Sequence, residues 1–333
     1  MSTEIKNITQ KFWGWKVAAH LFLVAAGAGA YVIGFVFSLI EPFLSFQGLP
    51  SQLLIAAKVG IITAIPLIIL GAIFLFANLG TKANSVRAFN RPFSSWLSRG
   101  SYIALLFILF DLILIGTWVS TPSKSLPGFN LVISIVCLVL ALALLVYSGM
   151  LLKVLKPFAI WNSSLLPPLF AISGIATGAM FVLLILAIYG FSSLINMIQP
   201  FIITIYYLIL FLILQIVILI SYMRRATINA SCRSPLLKMF KGQTALVFWL
   251  GVVIPGLFLP LIIGLYLVLV PIESSILLYV LTIILTIFGI TGSYILRYSV
   301  LSKSTAREIN ICGQMVELPE TAFIPASRQV KYN

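Results

Sequence analysis

A chain of 333 residues that is 61% hydrophobic, only 8% charged and has a mean hydropathy of +1.16 excludes an ordinary soluble domain. Its 21 basic and 7 acidic side chains give a formal net charge of +14, which in a soluble chain would point to nucleic acid. Here the bases flank apolar segments, so they read as topology signals in a protein surrounded by membrane lipid, with no nucleic-acid partner.

Apolar runs long enough to cross a bilayer recur eight times, at about 16–40, 53–79, 100–120, 129–152, 166–190, 200–223, 244–270 and 274–298. Lipid offers no hydrogen bonds to an open sheet edge, so an all-α integral membrane protein of eight transmembrane helices is expected. A barrel would show short alternating segments, and the sequence has none. The chain divides into an N-terminal basic segment (1–15), the membrane domain (16–300) and a polar C-terminal tail (301–333).

Lys6 and Lys11 precede the first run. A secretory signal would have a shorter apolar core, so span 1 is read as a retained helix, although Ala26–Ala30 imitates a cleavage site. Span 1 opens at Trp13, Trp15 and Lys16, carries His20 one turn inside, and continues through a run of small residues from Ala25 to Ala30. His20 is the only histidine in the chain. Span 2 holds Lys58 about one turn in, placed to extend its ammonium outward, and Pro66. Span 3 holds Asp111, the only acid well inside any span; Glu41 and Glu273 sit at span ends on the base-poor side. Span 4 ends in Leu-Val-Tyr147-Ser-Gly. Pro167 and Pro168 open span 5, and Pro255 and Pro260 lie in span 7; proline is ordinary in membrane helices, and no role is attached to these.

The bases segregate. The N-terminal side, the 2–3, 4–5 and 6–7 loops and the C-terminal side together hold nineteen of the 21, from Lys6 through Arg99, Lys153 and Arg224 to Arg297 and Lys331. Lys124 lies on the opposite side and Lys58 within span 2. An odd span count would destroy this segregation. It predicts a multi-pass protein of the cell membrane with both termini in the cytoplasm. The cysteines, Cys137, Cys232 and Cys312, form no CxxC pair, and one histidine excludes bis-histidine haem. No haem or iron–sulfur cluster is therefore expected in this chain.

Residues 21–32 (LFLVAAGAGAYV) and 169–182 (LFAISGIATGAMFV) are weakly alike. Four spans separate them, so they run in the same direction, which suggests a 4+4 repeat of two four-helix bundles. The alternative is that small helix faces are common in membranes.

Ionisable groups inside spans are costly and so are functional candidates. Span 1 enters from the basic side and span 4 exits to it, which puts His20 and Tyr147 in one layer. An imidazole and a phenol there can hydrogen-bond the carbonyl ends of a quinone and exchange the two protons of its two-electron reduction. The plainer readings are a packing bond from His20 to a backbone carbonyl and an interfacial tyrosine at 147. Asp111 is a candidate step in a proton path; otherwise it is a buried carboxyl, protonated or bonded to a neighbouring serine or threonine.

Four stretches resemble the NrfD/polysulfide reductase membrane-subunit family. They are WGWKVAAHLFLVAAGAGAYVIG (13–34), NRPFSSWLSRGSYIALLFILF (90–110), YSGMLLKVLKPFAIWNSSLLPPLFAISGIATGA (147–179) and ILRY (295–298), and the resemblance covers about residues 12–300. It implies a quinone-reactive membrane anchor of a multisubunit oxidoreductase, taking a quinone or quinol of menaquinone or ubiquinone type. It implies two partners, a ferredoxin-like iron–sulfur subunit and a catalytic subunit, often a molybdopterin enzyme acting on a sulfur compound or nitrite. The family's quinone residues fall by motif on His20 and Tyr147, and Trp96, Ser98 and Arg99 fall on a motif expected at the partner-facing edge. Asn78 replaces the acid many members carry at the end of span 2, so any ion pair made by that acid is in doubt. Well-known members hold the partner outside the cytoplasmic membrane, whereas the base bias here favours the cytoplasm. The rival readings are a secondary transporter and an anchor without its own quinone site.

Overall fold

The computed structural model describes residues 14–46, 52–79, 96–120, 128–154, 161, 163–193, 198–228, 245–270, 275–302, 308–311 and 314–317. They form eight long apolar helices: α1 Trp15–Phe46, α2 Gln52–Leu79, α3 Trp96–Ser120, α4 Gly128–Lys153, α5 Leu166–Ser193, α6 Ile198–Ile228, α7 Ala245–Leu269 and α8 Ser275–Ser302. Each is long and apolar enough to cross a membrane, as the hydropathy pattern requires. The protein is thus an all-α integral membrane protein. Several boundaries lie a few residues beyond the sequence reading, as at the ends of α1 and α6. Helix α3 starts at Trp96, which brings the Trp-Leu-Ser-Arg-Gly run inside its first turns. Helix α8 runs to Ser302, and the tail beyond it contains an antiparallel pair, β1 Glu308–Ile311 and β2 Gln314–Glu317.

Helix α7 is not α-helical along its whole length. Phe248–Phe258 is a π-helix, in which each N–H reaches the carbonyl five residues back, as Leu259 N–H does to Ile254 O. The segment contains Pro255, which has no N–H to serve the carbonyl of Gly251 in α register. In π register residue 256 serves that carbonyl, and the proline's missing donor falls on the carbonyl of Leu250 instead.

The centre of the bundle is the contact of α1 with α5. Both are the most buried spans. A Cβ at Gly29 would overlap the backbone of Gly174, and one at Gly178 the backbone of Gly29 and Ala30, so only bare backbones allow this approach. Small residues also bring α2 onto α1: a Cβ at Gly60 would lie 2.7 Å from Ala30 O, and one at Gly34 2.7 Å from Ala57 O. In lipid, where the apolar environment is already satisfied, such close van der Waals packing is what drives helices together. Helix α1 packs on α2, α4, α5 and α8; α5 packs on α6, α8, α1, α4 and α2. Helix α3 packs on α4 and α2, and α7 on α8 and α6.

A buried polar layer beside helix α1

Most hydroxyl groups inside the bundle are satisfied on their own helix. Thr63, Ser134, Thr177, Thr204 and Thr282 each donate to the carbonyl four residues back, at 2.5–2.8 Å. Against that background, few buried side-chain atoms among the described residues lack a partner: His20 Nε2, both carboxyl oxygens of Asp111, the Tyr147 hydroxyl, Gln215 Oε1 and Arg297 Nε. In a bundle that satisfies polar groups locally, these are the candidates for chemistry.

His20 and Tyr147 come together. Their ring centroids are 6.3 Å apart at an interplanar angle of 75°, and both side chains are buried. His20 Nδ1 lies 2.9 Å from the carbonyl oxygen of Gly71 on α2. A carbonyl only accepts, so Nδ1 carries the hydrogen, and in the neutral ring Nε2 is a bare acceptor. The packing bond to a backbone carbonyl is therefore real, and it orients the ring without using its second nitrogen. Gly71 permits the approach, since a Cβ there would lie 2.8 Å from Val24 Cγ2 and 3.2 Å from His20 O. On the other side, the Tyr147 ring lies against Gly100 of α3. The layer is thus built from α1, α2, α3 and α4. It holds one acceptor aimed by a fixed tautomer and one hydroxyl able to donate or accept.

The other sequence candidates fall outside this pair. Trp96 is half-buried, Ser98 buried and Arg99 exposed, with the Arg99 guanidinium 5.2 Å from the Trp96 ring centroid, all in the first turn of α3. Asp111 is eleven residues deeper on α3 than Gly100, about 16 Å along the axis. It is fully buried, and no serine or threonine bonds to it. Its electrostatic neighbours are Tyr31 of α1 and Cys137 of α4, and Tyr31 donates to Ser134 O at 3.0 Å. Asp111 therefore sits in a second polar layer on three of the same helices. Between the layers α1 and α4 bury only apolar side chains, among them Val24, Ala141 and Leu144; beyond Asp111, toward the opposite end, buried Ser134 and Asn130 follow. Lys58 is exposed near the start of α2. Glu273, Lys124, Cys232 and Cys312 lie outside the described residues. No group of three potential metal-binding His, Cys, Asp or Glu side chains gathers among the described residues.

One important residue escaped the sequence reading. Arg297, counted there with the C-terminal flanking charges, is completely buried. Its guanidinium donates to Ser173 Oγ at 3.1 Å, Ser293 O at 3.1 Å and Phe170 O at 3.3 Å, and lies 5.7 Å and 5.4 Å from the ring centroids of Phe22 and Phe170. It clamps α8 to α5. A base five residues from a span end looks like a topology signal, so no local pattern separates it from its solvated neighbours. Gly71 and Gly100 were missed for a related reason: a glycine in an apolar helix says that something is close, not what.

Fold and layer together define a class: an eight-helix membrane protein in which a histidine of the central helix α1 meets a tyrosine of α4, both with unpartnered polar atoms, near one end of the bundle. The family model described as "Polysulphide reductase, NrfD" matches residues 3–307, and the chain belongs to this family. The chain is also similar to Protein NrfD of Escherichia coli (strain K12), 28% identical over 199 residues. That alignment covers 53% of this chain and 60% of the relative, so the chain spans well under two thirds of the curated relative's length.

Proposed function

We propose that this chain is the quinone-reactive membrane subunit of a multisubunit oxidoreductase and that quinone or quinol reacts between His20 and Tyr147. One observation carries the reading: His20 Nε2 and the Tyr147 hydroxyl are buried, unpartnered and on rings that meet edge to face. Leaving two such groups empty-handed in an apolar interior is costly, and a ligand with oxygen atoms at its ring edge meets both needs. Tyr147 donates to a quinone carbonyl. Neutral His20, held by Gly71 with its hydrogen on Nδ1, accepts from a quinol hydroxyl; once protonated at Nε2 it donates to a carbonyl. The two groups thus bind both redox forms and handle a proton at a defined atom.

On this reading electrons pass between the quinone pool and a ferredoxin-like iron–sulfur subunit docked at Trp96, Ser98 and Arg99, and onward to a catalytic, molybdopterin-type subunit. The quinone is of menaquinone or ubiquinone type. Asp111 serves a proton step toward the opposite face, continued by Ser134 and Asn130. The complex lies in the cell membrane with the termini in the cytoplasm. The chain is built as two four-helix halves, a reading supported by Tyr147-Ser148 and Tyr298-Ser299 recurring near the ends of α4 and α8.

The test is binding of a fluorescent quinol-site inhibitor to membranes containing the complex. His20→Ala and Tyr147→Phe, at equal expression, each weaken saturable binding by about five- to tenfold, the loss of one hydrogen bond. Binding unchanged in both variants would move the site elsewhere in the bundle.

A further inference from the structure

The Tyr147 ring lies against a bare stretch of backbone. Gly100, buried near the start of α3, has no side chain, and a Cβ built there would overlap Cε2 and Cζ of Tyr147 and lie 2.7 Å from Cδ2. The ring fills the space that any side chain at position 100 would need. Cζ bears the hydroxyl, so this contact falls on the functional end of the phenol. That hydroxyl has no hydrogen bond in the described structure, so no polar contact fixes where it points. Steric walls do: the Gly100 backbone and the His20 ring both lie against the phenol.

The residue before Gly100 is Arg99, exposed and stacked on Trp96 one turn earlier. A helical turn moves as a unit, because its hydrogen bonds and dihedrals are shared. A contact that shifts the Trp96–Arg99 edge therefore shifts the surface on which the Tyr147 ring lies.

We propose that Gly100 is a positioning residue of the quinone site, its bare backbone seating the Tyr147 ring, and that the first turn of α3 thereby couples the exposed Trp96–Arg99 edge to the placement of the Tyr147 hydroxyl. The consequence for quinone rests on the function proposed above; the seating itself does not. The ligand whose affinity responds is a quinone or quinol, and the partner that acts on the edge is the redox subunit docked there. A glycine serving only helix packing would lower stability and leave substrate affinity alone.

The test uses the intact complex in membranes and a fluorotyrosine placed at position 147. Gly100→Ala moves the fluorine resonance of that residue in the absence of any quinone, weakens quinol-site inhibitor binding about tenfold and raises the quinol KM more than it lowers kcat. Gly116→Ala on the same helix, where a Cβ meets nothing within 4 Å, keeps the wild-type resonance and affinity. An unmoved resonance in Gly100→Ala overturns the seating. A moved resonance with unchanged inhibitor binding leaves the seating intact and removes its role in quinone binding. If Gly100→Ala does not accumulate, Gly100→Ala/Tyr147→Ala restores assembly by emptying the contested space; failure of both variants overturns the contact as the cause. Finally, stripping the partner subunits from the wild-type complex shifts the resonance of position 147, and an identical resonance before and after refutes the coupling.

Discussion

At the scale of single residues, the informative property is which polar atoms the bundle leaves without a partner. Hydroxyls on neighbouring turns bond back to their own helices, so an orphan in this protein is not a generic feature of polar groups in lipid. Asp111 is the strongest case after His20 and Tyr147, with both oxygens unbonded. It lies about 16 Å along the helix axis from the His20–Tyr147 layer, too far to touch a ring held there. Asp111→Asn therefore leaves inhibitor affinity at the wild-type value while lowering quinol turnover about tenfold, the scale of one assisted proton transfer. Unchanged turnover in a titrated, fully assembled complex would remove Asp111 from the mechanism. Arg297 makes a different prediction. Ser173 accepts from its guanidinium through a side-chain oxygen, and nothing apolar can replace that oxygen. Ser173→Ala destabilises the bundle by about 1.5–3 kcal/mol, the cost of removing a hydrogen bond to a charged group. Reversible unfolding in mixed micelles measures it, and a change below a few tenths would show that the clamp holds without Ser173.

At the scale of helices, packing is governed by where side chains are absent. The α1–α5 crossing leaves no room for even a methyl group at Gly29, because the Gly174 backbone occupies that position. Gly29→Ala pushes the two most buried spans apart, so the amount of folded protein recovered in detergent drops severalfold against Gly116→Ala, and equal recovery would show that the crossing adapts. Helix α7 answers a different constraint. Its π segment contains Pro255, so the carbonyl left without a ladder donor is that of Leu250 and not that of Gly251. The prolines of span 7 were visible in the sequence, but their effect was not, since a proline also permits a simple kink.

At the scale of the whole molecule, the described helix ends agree with the charge pattern. Lys16, Arg99, Lys153 and Arg224 all lie at ends that an eight-helix up-and-down path puts on one side. Moving Arg297 from the flank into the interior removes one base from that side and leaves the bias intact. A reporter fused to the C-terminus is therefore active in its cytoplasm-dependent form; activity of an export-dependent reporter at the same point would invert the topology and put the docking edge on the outer face.

The sequence by itself determined the number of spans, the membrane class and the short set of ionisable candidates. Hydropathy and charge bias are sums over neighbouring residues, and a bilayer reads them locally. It also put His20 and Tyr147 at one depth, because axial position follows from counting residues at a fixed rise. What only the tertiary structure decided was rotation and proximity. Depth does not say which faces of two helices meet, so neither the edge-to-face meeting of the two rings, nor the Gly71 carbonyl that fixes the His20 tautomer, nor the Gly100 backbone beneath Tyr147 was legible beforehand. Arg297 makes the same point with a charge: its burial comes from Phe22, Phe170 and Ser173, residues more than a hundred positions away that only folding brings to it.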